Sequence, residues 1–431
     1  MTSDARKLPT GFGRLWTAQT VSSLGDGISH AALPLLALSL TRDPMALAVV
    51  TAAGTLPWLL FGVLGGALVD RWERRRTMWA ADTARAALLA LPAAAAVLDL
   101  LSIPLLATVA FLLGLGGLFF DTAATAYLPD LVRRDPALLE RANSRLRGAQ
   151  TAMSGFVGPP AGSALLALGR AVPLLADAAS FLLSALLVRT LPATPRPVPE
   201  ARESLLGQAR AGASYVFRDR LLLGLALRPA VGNVAFLAVE TVLALFAHDR
   251  LGIGAHGFAL LLTAEATGGL LGAGIASRLS RRLGTGTALT CTAAVEGLAI
   301  LGLATATNPY AAGLALAACG AGMGATMVLA PSLRQAIVPA HLIGRVASTS
   351  RMLAMCAAPL GAFLGGWLAT TYDVRTPLFA AAGLLLAMTA LAASMTSNRR
   401  VEAALRAAAP PGAPDHPLSR EPAQKSTPDV A

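Results

Sequence analysis

The chain has 431 residues, 55% of them hydrophobic and 14% charged, with a mean hydropathy of +0.61 and a net charge of +11. Soluble domains carry about 25% charged residues, so the composition excludes a string of soluble domains, and three cysteines exclude a disulfide scaffold. The positive charge lies in short arginine clusters between long apolar runs with few aromatics, which excludes a base-stacking nucleic-acid surface and leaves a polytopic membrane protein.

A helix needs about 20 mostly apolar residues to cross the hydrocarbon. Twelve such spans are predicted, at 12–40, 45–69, 77–98, 103–131, 144–168, 171–191, 219–247, 256–279, 285–305, 308–337, 342–370 and 374–396.

Span 1 carries Leu15-Trp16-x-x-Gln19-x-x-Ser22-x-x-Gly25-Asp26, with Ala32-Leu33-Pro34-Leu35 beyond. Asp26 falls near the middle of this long span, hence near the midplane. A charge at that depth is costly and usually has a partner or a task. Asp26 reads as a proton carrier or cation-binding carboxylate, against a structural acid bonded to Gln19, Ser22 or Ser23. His30, one helical turn on, either shares its proton or bonds a neighbour.

Span 2 ends in Gly66-Ala-Leu-Val-Asp70-Arg71-Trp-Glu-Arg74-Arg75-Arg76. Asp70 suits the positive end of a neighbouring helix dipole. The arginines serve equally well as topology signals and anionic-lipid contacts. In span 3, Asp82 and Arg85 share a helix face and read as a structural ion pair. Asp121 in span 4 is either a proton relay or a structural hydrogen-bonding group. Span 5 holds Gly155-x-x-Gly158-Pro159-Pro160-x-Gly162, which permits close helix contact and a kink. Asp177-Ala-x-Ser180-Phe181 in span 6 reads as a structural acid with its neighbours.

Residues 192–217 are polar and proline-rich, a linker with a short amphipathic helix around 203–217 whose Tyr215-Val-Phe217 leads into span 7. In span 7, Arg228 has three readings: binding an anionic substrate group, pairing with a carboxylate such as Asp26, or snorkelling to the interface. Asn233 follows it, and Glu240 is an outer gate or a solvated acid. Glu265 in span 8 matches Asp26 in depth and is placed in a central cavity. Glu296 lies near the middle of span 9.

The predicted spans divide the connections into two sets. One set, containing both termini, holds 29 of the 35 Lys+Arg, and the other holds four. Both termini are therefore expected in the cytoplasm, with the chain multi-pass in the cell inner (plasma) membrane. The two groups of six spans also repeat: Gly25-Asp26 corresponds to Gly232-Asn233, Gly66 to Gly274, and Pro160-x-Gly162 to Pro359-x-Gly361, at offsets of 207, 208 and 199 residues.

The loop motif from Gly66 to Arg76 resembles the glycine–aspartate–arginine signature of the major facilitator superfamily, with Glu73 standing where its glycine usually does. The span-5 motif is similar to the one that marks antiporters there. The patterns in spans 1, 6 and 7 resemble the macrolide-efflux and siderophore-exporter branch of the drug/proton antiporters. The arginine that many relatives carry in span 4 is absent from Leu112-Leu113-Gly114-Leu115-Gly116.

The resemblance implies an all-α membrane protein of twelve transmembrane helices in two pseudo-symmetric six-helix bundles. These are residues 1–191 and 218–396, with a cytoplasmic linker at 192–217 and a disordered cytoplasmic tail at 397–431. It implies a secondary active exporter that moves a hydrophobic or amphiphilic small molecule out of the cell in exchange for protons. The alternatives are a proton symporter or facilitator for a nutrient, or a transporter of a lipid-like substrate. Asp26, Glu265 and Asp121 are the expected proton-coupling groups; Asn233, Arg228 and Gln19 are expected in the substrate cavity. The resemblance also implies that span 9, which carries Glu296, is peripheral. Gly66, Asp70, Arg71, Arg74 and Arg75 form the expected cytoplasmic gate, and Gly155, Gly158, Pro159, Pro160 and Gly162 the antiporter motif. No H-E-x-x-H, G-x-S-x-G or P-loop is present, so neither enzyme chemistry, cofactor nor metal is expected. Partners are the substrate, protons and membrane lipids, and the chain is expected to be a monomer.

Overall fold

Long apolar helices account for nearly all of the chain in the computed structural model, which describes residues 8–69, 72–132, 135–193, 213–339 and 342–408. In the first half they are α1 (Thr10–Leu40), α2 (Pro44–Val69), α3 (Arg74–Val97) and α4 (Ile103–Leu131). Then come α5, in the stretches Pro136–Gln150, Thr151–Val157 and Gly158–Leu168, and α6 (Val172–Arg189). In the second half they are α7 (Arg220–Asp249), α8 (Ala255–Leu283), α9 (Thr285–Thr305), α10 (Pro309–Ile337), α11 (Ile343–Thr371) and α12 (Thr376–Met395), with a short α13 (Asn398–Ala408).

Among the described residues, eleven helices are single runs long and apolar enough to cross a membrane. The twelfth predicted span is α5, which is interrupted. Its middle stretch, Thr151–Val157, is a π-helix, and the Gly158 N–H reaches back to the Met153 carbonyl. Pro159 and Pro160 have no N–H, and their rings crowd the carbonyls one turn earlier. The local widening into π geometry relieves that conflict.

One expectation from the sequence differs from the structure. The tail was expected without structure from residue 397, yet α13 is helical and its Val401 is 3% exposed, packed into the core of the second half. The arginines of α13 make its polar face, and its apolar face finds a partner in α9 and α10. In the linker, residues 213–218 are helical; the rest of the helix expected at 203–217 lies outside the described residues.

Small residues set the helix spacing. On α8, Gly268 and Gly272 face Ala317 and Ala321 of α10, while Gly320 and Gly324 of α10 face the backbone of Glu265 and Gly269. A Cβ at any of these glycines would collide with backbone, so the two helices touch along their main chains. α1 and α5 meet similarly: a Cβ on Gly158 would lie 2.5 Å from the Gly27 Cα.

The two halves meet chiefly through α2 against α11 and α5 against α8. Their packing differs between the two ends. At the end remote from the termini, one core joins Ala31, Ala37, Leu47, Val50, Leu106 and Ala110 of the first half to α7–α12. At the end bearing the termini, the buried cores separate: one is built only from the first half around Phe12, Met78 and Tyr127, the other only from the second around Leu222, Leu329 and Val346. The molecule is therefore closed at one end and divided at the other.

Candidate functional site

A cavity of about 310 Å³ lies where the halves divide, within the size range of small-molecule pockets. Its walls are mostly apolar and come mainly from the second half, with His30 and Arg147 contributed by the first. Arg228, Asn233, Glu240, Glu265 and Glu296 line it, and so do Arg334 and Arg351. The structure thus brings together Asn233, Arg228 and Glu265 of the expected residues. Gln19 is half-buried and is not among the lining residues. Asn233 donates to the Ala354 carbonyl at 2.9 Å, which ties α7 to α11 at this level.

Asp26 projects from α1 with 47% of its side chain exposed. Arg85 of α3 donates to its Oδ1 at 2.7 Å and to Asp82 at 3.4 Å. Asp82 is fully buried, and the Arg85 guanidinium lies 3.7 Å from the Phe181 ring centroid. Arg85 is therefore held by two acids and an aromatic face. Asp177 accepts a hydrogen bond from Ser29 behind the same cluster, and Ser180 donates to the Asp177 carbonyl at 2.8 Å. Asp121 is exposed on α4.

In the second half, Arg228 does not reach Asp26. It donates to Glu296 at 2.8 Å and to Thr292 at 3.4 Å, while Thr326 donates to the same Glu296 oxygen at 3.3 Å. Glu296, expected at the periphery, is 7% exposed and lines the cavity. His30 faces away from Asp26's role as well: its Nε2 lies 3.3 Å from Glu240 Oε1, joining α1 to α7 across the halves. Arg351, on α11, stacks 4.9 Å from the ring centroid of Trp58 on α2. Sequence reasoning does not single out Arg147, Arg334 or Arg351, because arginines near span ends read as topology signals, and nothing marks Trp58 among the apolar residues of its span.

Of the residues expected to form a gate, Gly66, Arg74 and Arg75 lie at the end bearing the termini. Asp70 and Arg71 are outside the described residues, and Gly66 lies within α2. Arg74 pairs with Asp130 and donates to the Ala126 carbonyl at 3.0 Å. Arg75 donates to the Leu191 carbonyl at 3.0 Å. All these partners belong to the first half, as the division of the two cores at this end requires. Glu73 caps α3 by accepting from the N–H groups of Arg75 and Arg76, so the acid standing in the glycine position closes the turn by a different means.

The glycine–proline motif of α5 sits against both halves. Gly158 and Gly162 pack on Gly27 and Ile28 of α1, whereas Gly155 faces α8, where its Cβ would lie 2.8 Å from the Ala266 side chain. Among the described residues no group of three metal-ligating side chains converges.

Residues 8–428 match the family model described as "Transmembrane secretion effector". A multidrug efflux pump Tap from Mycolicibacterium fortuitum is 30% identical over 405 residues, covering 90% of this chain and 96% of that protein. The Tap pump of Mycobacterium tuberculosis is 28% identical over 390 residues, covering 87% and 88%. Among solved structures, the nucleoside transporter NupG superposes with a TM-score of 0.72 at 14% identity, covering 90% of this chain and 100% of that one. A bacterial homologue of the iron transporter ferroportin in an inward-facing state gives 0.73 at 17% identity, covering 91% and 100%. These structural likenesses establish the fold.

Proposed function

The chain belongs to the transmembrane secretion effector family of MFS transporters, and from that premise we propose that it is a secondary active exporter. It is a transporter and not an enzyme. Its cargo is a hydrophobic or amphiphilic small molecule, driven outward by inward proton flow. The observation that carries this reading is the apolar cavity between halves that are sealed at one end only. The relation to the Tap efflux pumps supports the outward direction.

In this reading both termini, the linker at 192–217 and the divided end face the cytoplasm of a plasma-membrane protein. The arginine clusters at that end support the orientation. The arrangement is then the cytoplasm-facing state, ready to load cargo. Residues 1–191 and 218–396 are the two rocking units, and α5 with α8 is the pivot contact near the cavity.

Asp26 is the proton carrier. Its exposure lets it meet water, and Asp82 remains to hold Arg85 when Asp26 is neutral. Protonation thus frees Arg85 from one restraint without leaving it uncompensated. Exchange follows if that change alters the balance between the two end-states. Asp121, exposed on α4, and Glu265, which lines the cavity, are the further carboxylates that could carry the proton.

The test is efflux of a hydrophobic dye from proteoliposomes under an imposed pH gradient without ATP. Uphill movement that a protonophore abolishes is the expected result. Movement that follows only the dye's own gradient would overturn coupling, and absence of movement in either direction would overturn the exporter reading.

A further inference from the structure

Three acids line the cavity, and two are matched. Glu296 is bonded to Arg228 at 2.8 Å, and Glu240 lies 3.3 Å from His30. Glu265 has no hydrogen bond or ion pair among the described residues. The cavity that it lines is walled by Leu243, Leu262, Leu316 and Met323 among others, apolar groups that cannot compensate a carboxylate.

The backbone beneath Glu265 is fixed. Its carbonyl packs on Gly320, with Gly268–Ala317 and Gly272–Ala321 contacts one and two turns along. Such a seam fixes the backbone from which the carboxylate projects before any ligand arrives, which lowers the cost of binding.

Charge along the cavity is also graded. Glu240 and Glu265 stand toward the sealed end. Arg228 is twelve residues from Glu240 on α7, about 18 Å along the helix, and Arg334 and Arg351 are toward the divided end. Arg228 is neutralised by Glu296 and Arg351 lies on Trp58. The unmatched charge at depth is therefore negative.

We propose that Glu265 is the counter-charge that selects a hydrophobic monovalent organic cation, seated charge-first at the sealed end of the cavity. This rests on the exporter reading and names its cargo class. The neighbouring residue links cargo to motion: Ala266 is the side chain that touches Gly155 of the α5 π-helical stretch. A cation drawn to Glu265 bears on α8 one residue from the contact between the halves.

The experiment measures binding to the purified full-length chain. The probes are tetraphenylphosphonium, its isosteric anion tetraphenylborate, and neutral triphenylphosphine oxide. Wild type should prefer the cation. Glu265→Gln should weaken the cation by about tenfold or more, the scale for losing one partner of a desolvated charge pair, while the neutral probe binds as before. Glu265→Asp should restore most of the preference. Glu265→Lys should turn the preference toward the borate, a gain that misfolding cannot produce. Equal affinity of wild type for all three probes, an unchanged cation preference in Glu265→Gln, or no reversal in a well-folded Glu265→Lys would overturn the proposal. Binding is read without transport, so a protein that selects cations but exports nothing would sink the exporter reading and leave this assignment standing.

Discussion

In the first half, the arginine stands on the third helix and draws on two acids; in the second, it stands on the first helix and draws on one. Arg85 meets Asp26 at 2.7 Å and Asp82 at 3.4 Å, with Asp177 and Asp121 near enough to act on it. Arg228 meets Glu296 alone among the described acids. The polarity is inverted too: α1 supplies an acid to α3, whereas α7 supplies an arginine to α9. The repeat has kept the location of a charged pair and changed its redundancy. A pair with a spare acid can lose one charge and persist. A one-to-one buried pair cannot, because the remaining charge has no partner.

The largest effect should come from Asp26→Asn. It mimics a protonated acid that never releases its proton, and Asp82 still holds Arg85. Uphill export under a pH gradient should fall to background, while downhill exchange and detergent-solubilised stability stay near wild type. Uphill export at the wild-type rate would move the carrier to Asp121 or Glu265 and remove the functional meaning of the spare acid.

The second half should respond in the opposite way. Glu296→Gln strands Arg228, a loss on the order of 3–5 kcal/mol for a buried pair broken on one side. Thermal unfolding in detergent should show it clearly. Replacing both residues with leucine should recover most of the loss. A Glu296→Gln protein as stable as wild type would mean that cavity water already screens the pair.

Repeat-mate glycines offer a smaller contrast. Gly25 packs on Asp177 and Ser180, with its Cβ position 2.9 Å from the Ser180 Cβ, whereas nothing lies within 4 Å of a Cβ at Gly232. Gly25→Ala should cost about 1–3 kcal/mol by overpacking. Gly232→Ala should be neutral or gain up to about 1 kcal/mol from helix propensity. Equal effects on unfolding temperature would show that α1 can shift to make room.

The smallest effect concerns the connections at the sealed end. Asp373 pairs with Arg250, and its carboxyl is held below the usual range by the Arg375 backbone N–H and then by the Arg250 charge. A depressed folded pKa means stabilisation that is present above the unfolded value and lost as pH falls through the folded one. Asp373→Asn should therefore lower the unfolding temperature slightly at neutral pH, with the difference from wild type vanishing in acid. Its first-half counterpart, Asp99 with Arg170 at 3.7 Å, is 87% exposed, and Asp99→Asn should change nothing measurable. A constant Asp373→Asn difference across pH would assign its effect to the backbone hydrogen bond.

The sequence by itself determined where the long apolar helices run, because span length is a property of one contiguous apolar run. The predicted 103–131 and 285–305 agree with α4 and α9 at both ends. It failed where that property stops applying. α5 begins at Pro136 instead of 144, since Glu140, Arg141, Arg145 and Arg147 extend the helix past its apolar part. Asn398–Ala408 is helical because a single apolar face has a neighbour to cover it. Depth was legible only in part: Asn233, Arg228 and Glu265 line the cavity, but Gln19 does not, and Glu296, expected at the periphery, does. Partnership was not. Asp26 with Arg85, Arg228 with Glu296 and His30 with Glu240 are separated by 59, 68 and 210 residues. A helix's sequence fixes the level and the face of each charge. Which other helix stands opposite is decided by backbone contacts between distant small residues, such as Gly27 on Gly158 and Gly268 on Ala317, and only the packed structure contains those.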